Sequence, residues 1–254
     1  MRLLTDNEGP AVAIENVGAR GDVIVVCEHA SRVLPAALGT LGLSDEALQS
    51  HIAWDPGALD VARFVASSLD ATLIHQRFSR LAYDCNRPPE AEGAMPVVSE
   101  IYDIPGNRAL SAEARQARIE EIYLPFAGGL RDLIRGRLEA GRRPVLVTVH
   151  SFTPVYFGRY RTVEIGILHD ADSRLADRML KAAEGAGAAY IVRRNEPYGP
   201  TDGVTHTLIQ HGLKNDLANV MIEVRNDLIR TESGARVVAD FLTGLLGQSL
   251  ADLT

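Results

Sequence analysis

Short apolar, often β-branched runs alternate along this chain with longer stretches in which apolar positions recur at helical spacing. The runs at 23–27, 72–75, 145–149, 163–168, 190–192 and 219–224 read as strands. Several are continuously apolar instead of alternating, the pattern of strands buried on both faces. Between them, Leu59, Ala62, Phe64, Val65 and Leu69 form a stripe over 58–69, preceded by Asp55-Pro56, a natural N-cap and first-turn proline. A second stripe, with Ile119, Ile122, Phe126, Leu130, Ile134 and Leu138, runs through 111–140, where Pro125 removes a backbone donor and should kink or divide the helix. Helices are also expected over 170–184, 203–211 and 229–246. Only 87–105, rich in Pro and Gly, lacks a period; it reads either as a substrate-covering loop or as a plain surface excursion. The alternation predicts an α/β fold, a single domain with a mixed, mostly parallel central sheet flanked by helices.

Composition narrows the function classes. With 46% apolar and 23% charged residues, the 254-residue chain can bury a core, which excludes disorder and coiled coil. A net charge of −7 argues against nucleic acid as a partner, because that affinity comes from clustered Lys and Arg neutralising phosphates. Cys27 and Cys85 lie in apolar runs without a disulfide spacing, which fits a reducing compartment. The N-terminal segment lacks the apolar core of a signal peptide, and no run nears the roughly 20 apolar residues of a bilayer span. The expectation is a cytoplasmic protein with no membrane partner. Oligomeric state is not legible.

Polar residues end three of the apolar runs: Glu28-His29, His150-Ser151, and Glu223 with Arg225 and Asn226. Strand ends are where α/β proteins gather ligand sites, and two histidines beside carboxylates read as a metal site. Catalytic zinc takes three protein ligands and keeps a fourth position for water, whose pKa falls to about 7. His29 and His150 supply two ligands. The compact His-x-x-Glu spacing is absent, since Arg32 stands there, so the third is Glu28 or Asp55. If residues 28 and 29 are extended, their side chains leave opposite faces, which favours Asp55. Asp55 has a purely structural alternative as helix cap, and Glu28 a role outside the ligand set, fixing an imidazole tautomer. Glu223, at the end of a buried strand, reads either as a general base with a raised pKa or as an ion-pair partner of Arg225.

A fourth cluster runs from Arg80 to Arg87. Alternation in an extended segment puts Arg80, Ala82, Asp84 and Asn86 on one side, with Arg87 turning inward before Pro88. Arginine with asparagine suits a substrate carboxylate, through the guanidinium fork and a directional amide donor.

The ordered motifs CEHAS (27–31), HIAWDPGA (51–58), FSRLAYDCNRP (78–88), TVHSFTP (148–154), NEPYGPTDGVTHTL (195–208) and IEVRND (222–227) resemble the N-formylglutamate amidohydrolase family over about residues 20 to 246. The resemblance implies kinship with zinc carboxypeptidases and aspartoacylases and their fold, a phosphorylase/hydrolase-like mixed sheet between helices. It implies one zinc ion on His29 and His150 and leaves the third ligand between Asp55, the favoured one, and Glu28; Asp84, and Glu28 if it is not a ligand, are expected as outer partners. Glu223 becomes the base, Arg80 a stabiliser of the oxyanion, and Asn86 with Arg87 the carboxylate clamp. Tyr198 and His206 fall within a family motif and are expected to contact substrate or support the site. The implied reaction is hydrolysis of an N-acyl amino acid, foremost N-formylglutamate, to the free amino acid, within histidine breakdown. Two other readings compete: a metal-independent hydrolase using Ser31, Ser151 or Cys27, and a metal- or amino-acid-binding protein without catalysis.

Overall fold

The computed structural model describes residues 2–251. Seven strands form one sheet: β1 (Val12–Glu15), β2 (Val23–Cys27), β3 (Thr72–Gln76), β4 (Val145–Phe152), β5 (Ile165–Leu168), β6 (Val192–Arg194) and β7 (Asn219–Arg225). Their spatial order is β1-β3-β2-β4-β7-β5-β6. The four strands β3, β2, β4 and β7 run parallel, β1 is antiparallel on one edge, and β5 with β6 runs antiparallel to β7 on the other. This is the expected mixed, mostly parallel α/β sheet. The central strands are continuously apolar because both faces are covered. Val23 and Val25 pack with the helices Ala58–Ser68, Arg174–Gly185 and Glu232–Ala251, whereas Ile24 and Val26 pack with Ile122, Phe126, Leu130 and Ile134 across the other face. Each fully buried aliphatic side chain in these layers contributes about 1.5–3 kcal/mol.

Several elements differ from the sequence expectation. The helix over 58–69 begins at Ala58, after Gly57 at φ +79°, where a β-carbon would strike the Ile229 carbonyl. Only the backbone carbonyl of Asp55 receives a helix N–H, from Ala58, so its carboxylate is not the expected cap and is available to the sheet edge. Pro125 lies in the first turn of Leu124–Glu139, which continues from Ala112–Arg118 through one wide π turn, Ile119–Tyr123, so the division expected at the proline is made by a bulge. The helix expected over 203–211 is mostly the π turn Leu208–Gly212. The segment 80–87 is not extended. Ala82 N–H bonds the Ser79 carbonyl and Arg87 N–H the Asp84 carbonyl, so it coils as successive turns and strand alternation does not govern its side chains. Within 87–105 a small hairpin forms, Val98–Ser99 against Tyr102–Asp103, and β1 is an unpredicted, half-exposed edge strand.

Candidate active site

The parallel strands bring their C-terminal ends to one edge, and the polar residues there lie in register. Glu223 on β7 pairs directly with His150 on β4. Glu28 and His29 turn off the end of neighbouring β2. The Asp55 N–H donates to the His29 carbonyl at 2.9 Å, which brings the 51–57 loop against them. Gly166 on β5 lies opposite Glu223, and a side chain there would collide with the Glu196 carbonyl, so the loop carrying Tyr198 closes tightly over this edge.

His29, Asp55 and His150 form one buried cluster whose ligand atoms all lie within 4.8 Å of one another. Nδ1 of His29 is 3.3 Å and Nδ1 of His150 3.0 Å from Asp55 Oδ2, and the two Nδ1 atoms are 3.2 Å apart. The far nitrogens face carboxylates: His29 Nε2 meets Asp84 Oδ1 at 2.7 Å and His150 Nε2 meets Glu28 Oε2 at 3.1 Å. The Glu28 contact is poorly aligned for a hydrogen bond and acts on His150 chiefly as a charge. His29 Nε2 is hydrogen-bonded to Asp84, which assigns its proton to that nitrogen; with the same tautomer at His150, whose Nε2 faces the Glu28 charge, two imidazole lone pairs and a carboxylate oxygen converge on one point. Such a donor set fits a divalent cation of the zinc kind. The geometry groups Asp55 with the two imidazoles, whereas Glu28 stands behind His150.

Charges here are strongly coupled. Burial raises the Asp55 carboxyl, but His29 and His150 outweigh it and hold it far below its usual range. Burial lowers the imidazoles, yet Glu28 and Asp55 hold His150 well above the usual histidine range, and Asp84 with Asp55 raises His29 against the opposing charge of Arg80. Glu223 is different. Burial first, then the Asp55 charge, outweigh the nearby cations and push its carboxyl up to about 7. Its Oε2 is buried without a hydrogen-bond partner among the described residues. The ion pair with Arg225 considered from the sequence does not form, since Arg225 instead binds Asp227 at 2.7 Å and Glu164 at 3.3 Å.

A cavity of about 170 Å³ opens over this cluster, and His29, Asp55, Arg80, Asn86, Arg87, His150, Tyr198 and Glu223 all line it. Arg80 donates to Asp84 at 2.8 Å and to Asp55 at 3.4 Å, and keeps about a quarter of its side chain exposed (27%). The Asn86 amide donates to the Val204 carbonyl at 2.5 Å and accepts from Thr207 N–H at 3.0 Å, so it braces the 204–207 wall. Arg87 binds the Asn86 carbonyl and has no carboxylate partner among the described residues. His206 is not in the lining; its Nε2 meets the Tyr123 hydroxyl at 3.0 Å, behind the wall. His51, Ser99, Phe152, Thr153 and Tyr156 also line the cavity and were not singled out from the sequence. His51 and Thr153 lie inside recognisable motifs, but Tyr156 sits in a surface hairpin with no pattern to mark it. No nucleophile–base pair is set up: Ser151 donates to the Pro56 carbonyl at 2.9 Å, Ser31 accepts from Val33 N–H, and burial holds the Cys27 thiol up.

A family model described as N-formylglutamate amidohydrolase matches residues 21–230. The chain belongs to the N-formylglutamate amidohydrolase family. The matched span contains every cavity residue named above. Among solved structures, a gene product of Agrobacterium tumefaciens is 59% identical over 99% of both chains, with a TM-score of 0.97. An N-formylglutamate amidohydrolase from Ralstonia eutropha superposes with a TM-score of 0.64 over 95% of this chain and 97% of its own, at 18% identity, a likeness of fold. No curated protein matches the chain. No helix among the described residues is long and apolar enough to cross a membrane.

Proposed function

We propose that this N-formylglutamate amidohydrolase family member hydrolyses N-acyl amino acids, N-formylglutamate foremost, at a site built for one zinc ion. The observation that carries this reading is the unpartnered, buried Glu223 carboxyl facing the same cavity as the two-imidazole, one-carboxylate cluster. His29, Asp55 and His150 would hold the ion. When bound, it supplies Lewis acidity that polarises the acyl oxygen and lowers the pKa of water.

The chain's own residues account for the rest. Glu223 takes a proton from the attacking water as oxygen bonds to the acyl carbon. It returns that proton to the amide nitrogen as the C–N bond breaks, releasing carboxylate and amine. A carboxyl poised near neutrality suits both transfers. Arg80, anchored by Asp84 and Asp55, turns its remaining donors to the cavity, where the acyl oxygen gains charge; one such donor is typically worth roughly 3 kcal/mol. Arg87, which forms no ion pair among the described residues, receives the α-carboxylate, on a wall that Asn86 fixes. The side chain of Tyr198 also lines the cavity.

The test is Glu223→Gln, assayed with formylated and acetylated amino acids. The variant should retain metal and lose about 100-fold or more in kcat, the scale of general-base catalysis. Undiminished turnover of a substrate cleaved by the wild type would remove Glu223 from this role, and no turnover of any acyl amino acid by the metal-loaded wild type would end the hydrolase reading.

A further inference from the structure

A second cavity, of about 330 Å³, shares no lining residue with the active site. Its walls are mostly apolar, made by Leu3, Leu38, Leu41, Leu110, Ala114 and Ala117. Two of these walls are tied down by hydrogen bonds. The N–H groups of Leu3 and Leu4 donate to the Glu121 carboxylate at 2.7 and 2.8 Å. Gly106 N–H donates to the Leu41 carbonyl at 2.8 Å, an approach so close that a β-carbon on Gly106 would stand 2.7 Å from the Leu41 α-carbon. Pre-formed apolar cavities of about 300 Å³ and more are where proteins take small organic ligands.

One charge stands in this apolar wall. Arg118, the last residue of the helix Ala112–Arg118, lines the cavity although it is only 2% exposed. Its Nη1 donates to the Ala82 carbonyl at 3.1 Å and to Asn107 Oδ1 at 2.6 Å. Nε is buried without a partner, Nη2 has no acceptor, and no ion pair forms with any carboxylate among the described residues. Burial, then the like charge of Arg115, lowers the pKa of the guanidinium from 12.5 to about 10. Arg137 makes the contrast: it is buried too, but spends both Nη groups on the Gly21 and Val23 carbonyls and the Thr72 hydroxyl.

The two nitrogens that Arg118 leaves over are the edge of the guanidinium whose N–H bonds run parallel, the edge that grips both oxygens of a carboxylate. Arg174 uses this same pair on Asp172, with both bonds at 2.9 Å. The other polar lining residues do not compete for a ligand buried in the cavity. Arg2, Ser111 and Glu113 are exposed, with Arg2 paired to Asp6 at 2.6 Å and Ser111 accepting from the Ala114 N–H. A buried cation is costly until an anion completes it, and the apolar walls ask for a body without further charge.

We propose that this cavity is a second ligand site, which takes a monocarboxylate with a short aliphatic body, its carboxylate on Arg118 and its chain among the leucines. The site is separate from the one assigned to hydrolysis and does not depend on that reading.

The experiment is calorimetry with octanoate and with 1-octanol, which has the same body and no charge, on the wild type, Arg118→Met, Ala117→Phe and Asp55→Ala. The wild type should bind octanoate about 10–100-fold more tightly than 1-octanol, the scale of hydrogen bonds to a charged group. Arg118→Met should bring the two ligands to within about threefold of each other. Ala117→Phe, which fills the cavity and keeps the charge, should weaken octanoate by about tenfold or more. Asp55→Ala, which breaks the imidazole–carboxylate cluster, should bind octanoate to within about twofold of the wild type. A wild type that binds no octanoate, or binds octanoate and 1-octanol alike, overturns the proposal. So does octanoate binding that Asp55→Ala abolishes and Ala117→Phe leaves intact, which would place the ligand on the active-site cluster. Should Arg118→Met fail to fold, the wild-type preference and the Ala117→Phe variant decide together.

Discussion

Replacing Asp84 with Asn keeps the shape of a buried side chain and removes one charge from behind the imidazole cluster. In the native arrangement Asp84 Oδ1 accepts from His29 Nε2 at 2.7 Å and from Asn86 N–H at 2.9 Å, while Oδ2 accepts from Arg80 at 2.8 Å. An asparagine can satisfy His29 with its one oxygen, but its NH2 group then faces the guanidinium of Arg80, donor against donor. The loss is one charge-assisted hydrogen bond, worth about 1.5–3 kcal/mol, together with the negative charge that makes His29 a better electron donor. Outer carboxylates of this kind typically change metal affinity by about 10–100-fold, and about 1.4 kcal/mol corresponds to each tenfold step. Competition with a chromophoric chelator should therefore show Asp84→Asn binding zinc about 10–100-fold more weakly than the wild type, with folding verified by circular dichroism. An affinity unchanged to within about twofold would mean that Asp84 does not act on the metal site through His29.

Two further outcomes follow from the charges. Because His150 and His29 hold protons above their usual range in the metal-free protein, and a ligand nitrogen must be deprotonated, zinc binding should release protons and tighten as pH rises until the raised pKa values are passed; calorimetry in buffers of different ionisation enthalpy checks this, and pH-independent binding would contradict it. His211 behaves oppositely: burial, then the charge of His206, lowers its pKa from 6.5 to about 4. The unfolded chain takes up this proton first, so the stabilisation is complete above pH 6.5 and declines toward pH 4, by up to about 3 kcal/mol. Denaturant titrations should find a shallower acid-side decline in His211→Leu, and identical slopes would refute the assignment.

The fold was legible because its central strands are buried on both faces and therefore mostly apolar, and the same property exposed His150 and Glu223, titratable residues that follow directly on apolar runs. His29 could be found for a similar reason, at the turn off β2. Asp55 was legible only as an alternative. Aspartate before proline is a good cap and a good ligand, and what separates the two is Gly57, whose left-handed backbone starts the helix without the aspartate side chain. The reading of 80–87 as a strand failed because Ser79 donates its hydroxyl to the Ala53 carbonyl at 2.7 Å and accepts from Leu81 N–H, winding the segment into turns that no alternation pattern encodes. Arg80, Asn86 and Arg87 still reach the cavity, but by that winding. Tyr156 left no mark in the sequence, since only the folded chain brings its hairpin to the cavity.

Metal stoichiometry goes straight to the foundation of the site. Protein purified without added metal, and the same protein after chelation and zinc titration, should bind about one equivalent of zinc per chain, with Asp55→Ala and His150→Ala each abolishing tight binding and hydrolysis of N-formylglutamate together. Failure of the wild type to hold zinc, accompanied by full hydrolytic activity in excess chelator, would show that the convergence of His29, Asp55 and His150 serves some purpose other than binding a catalytic cation.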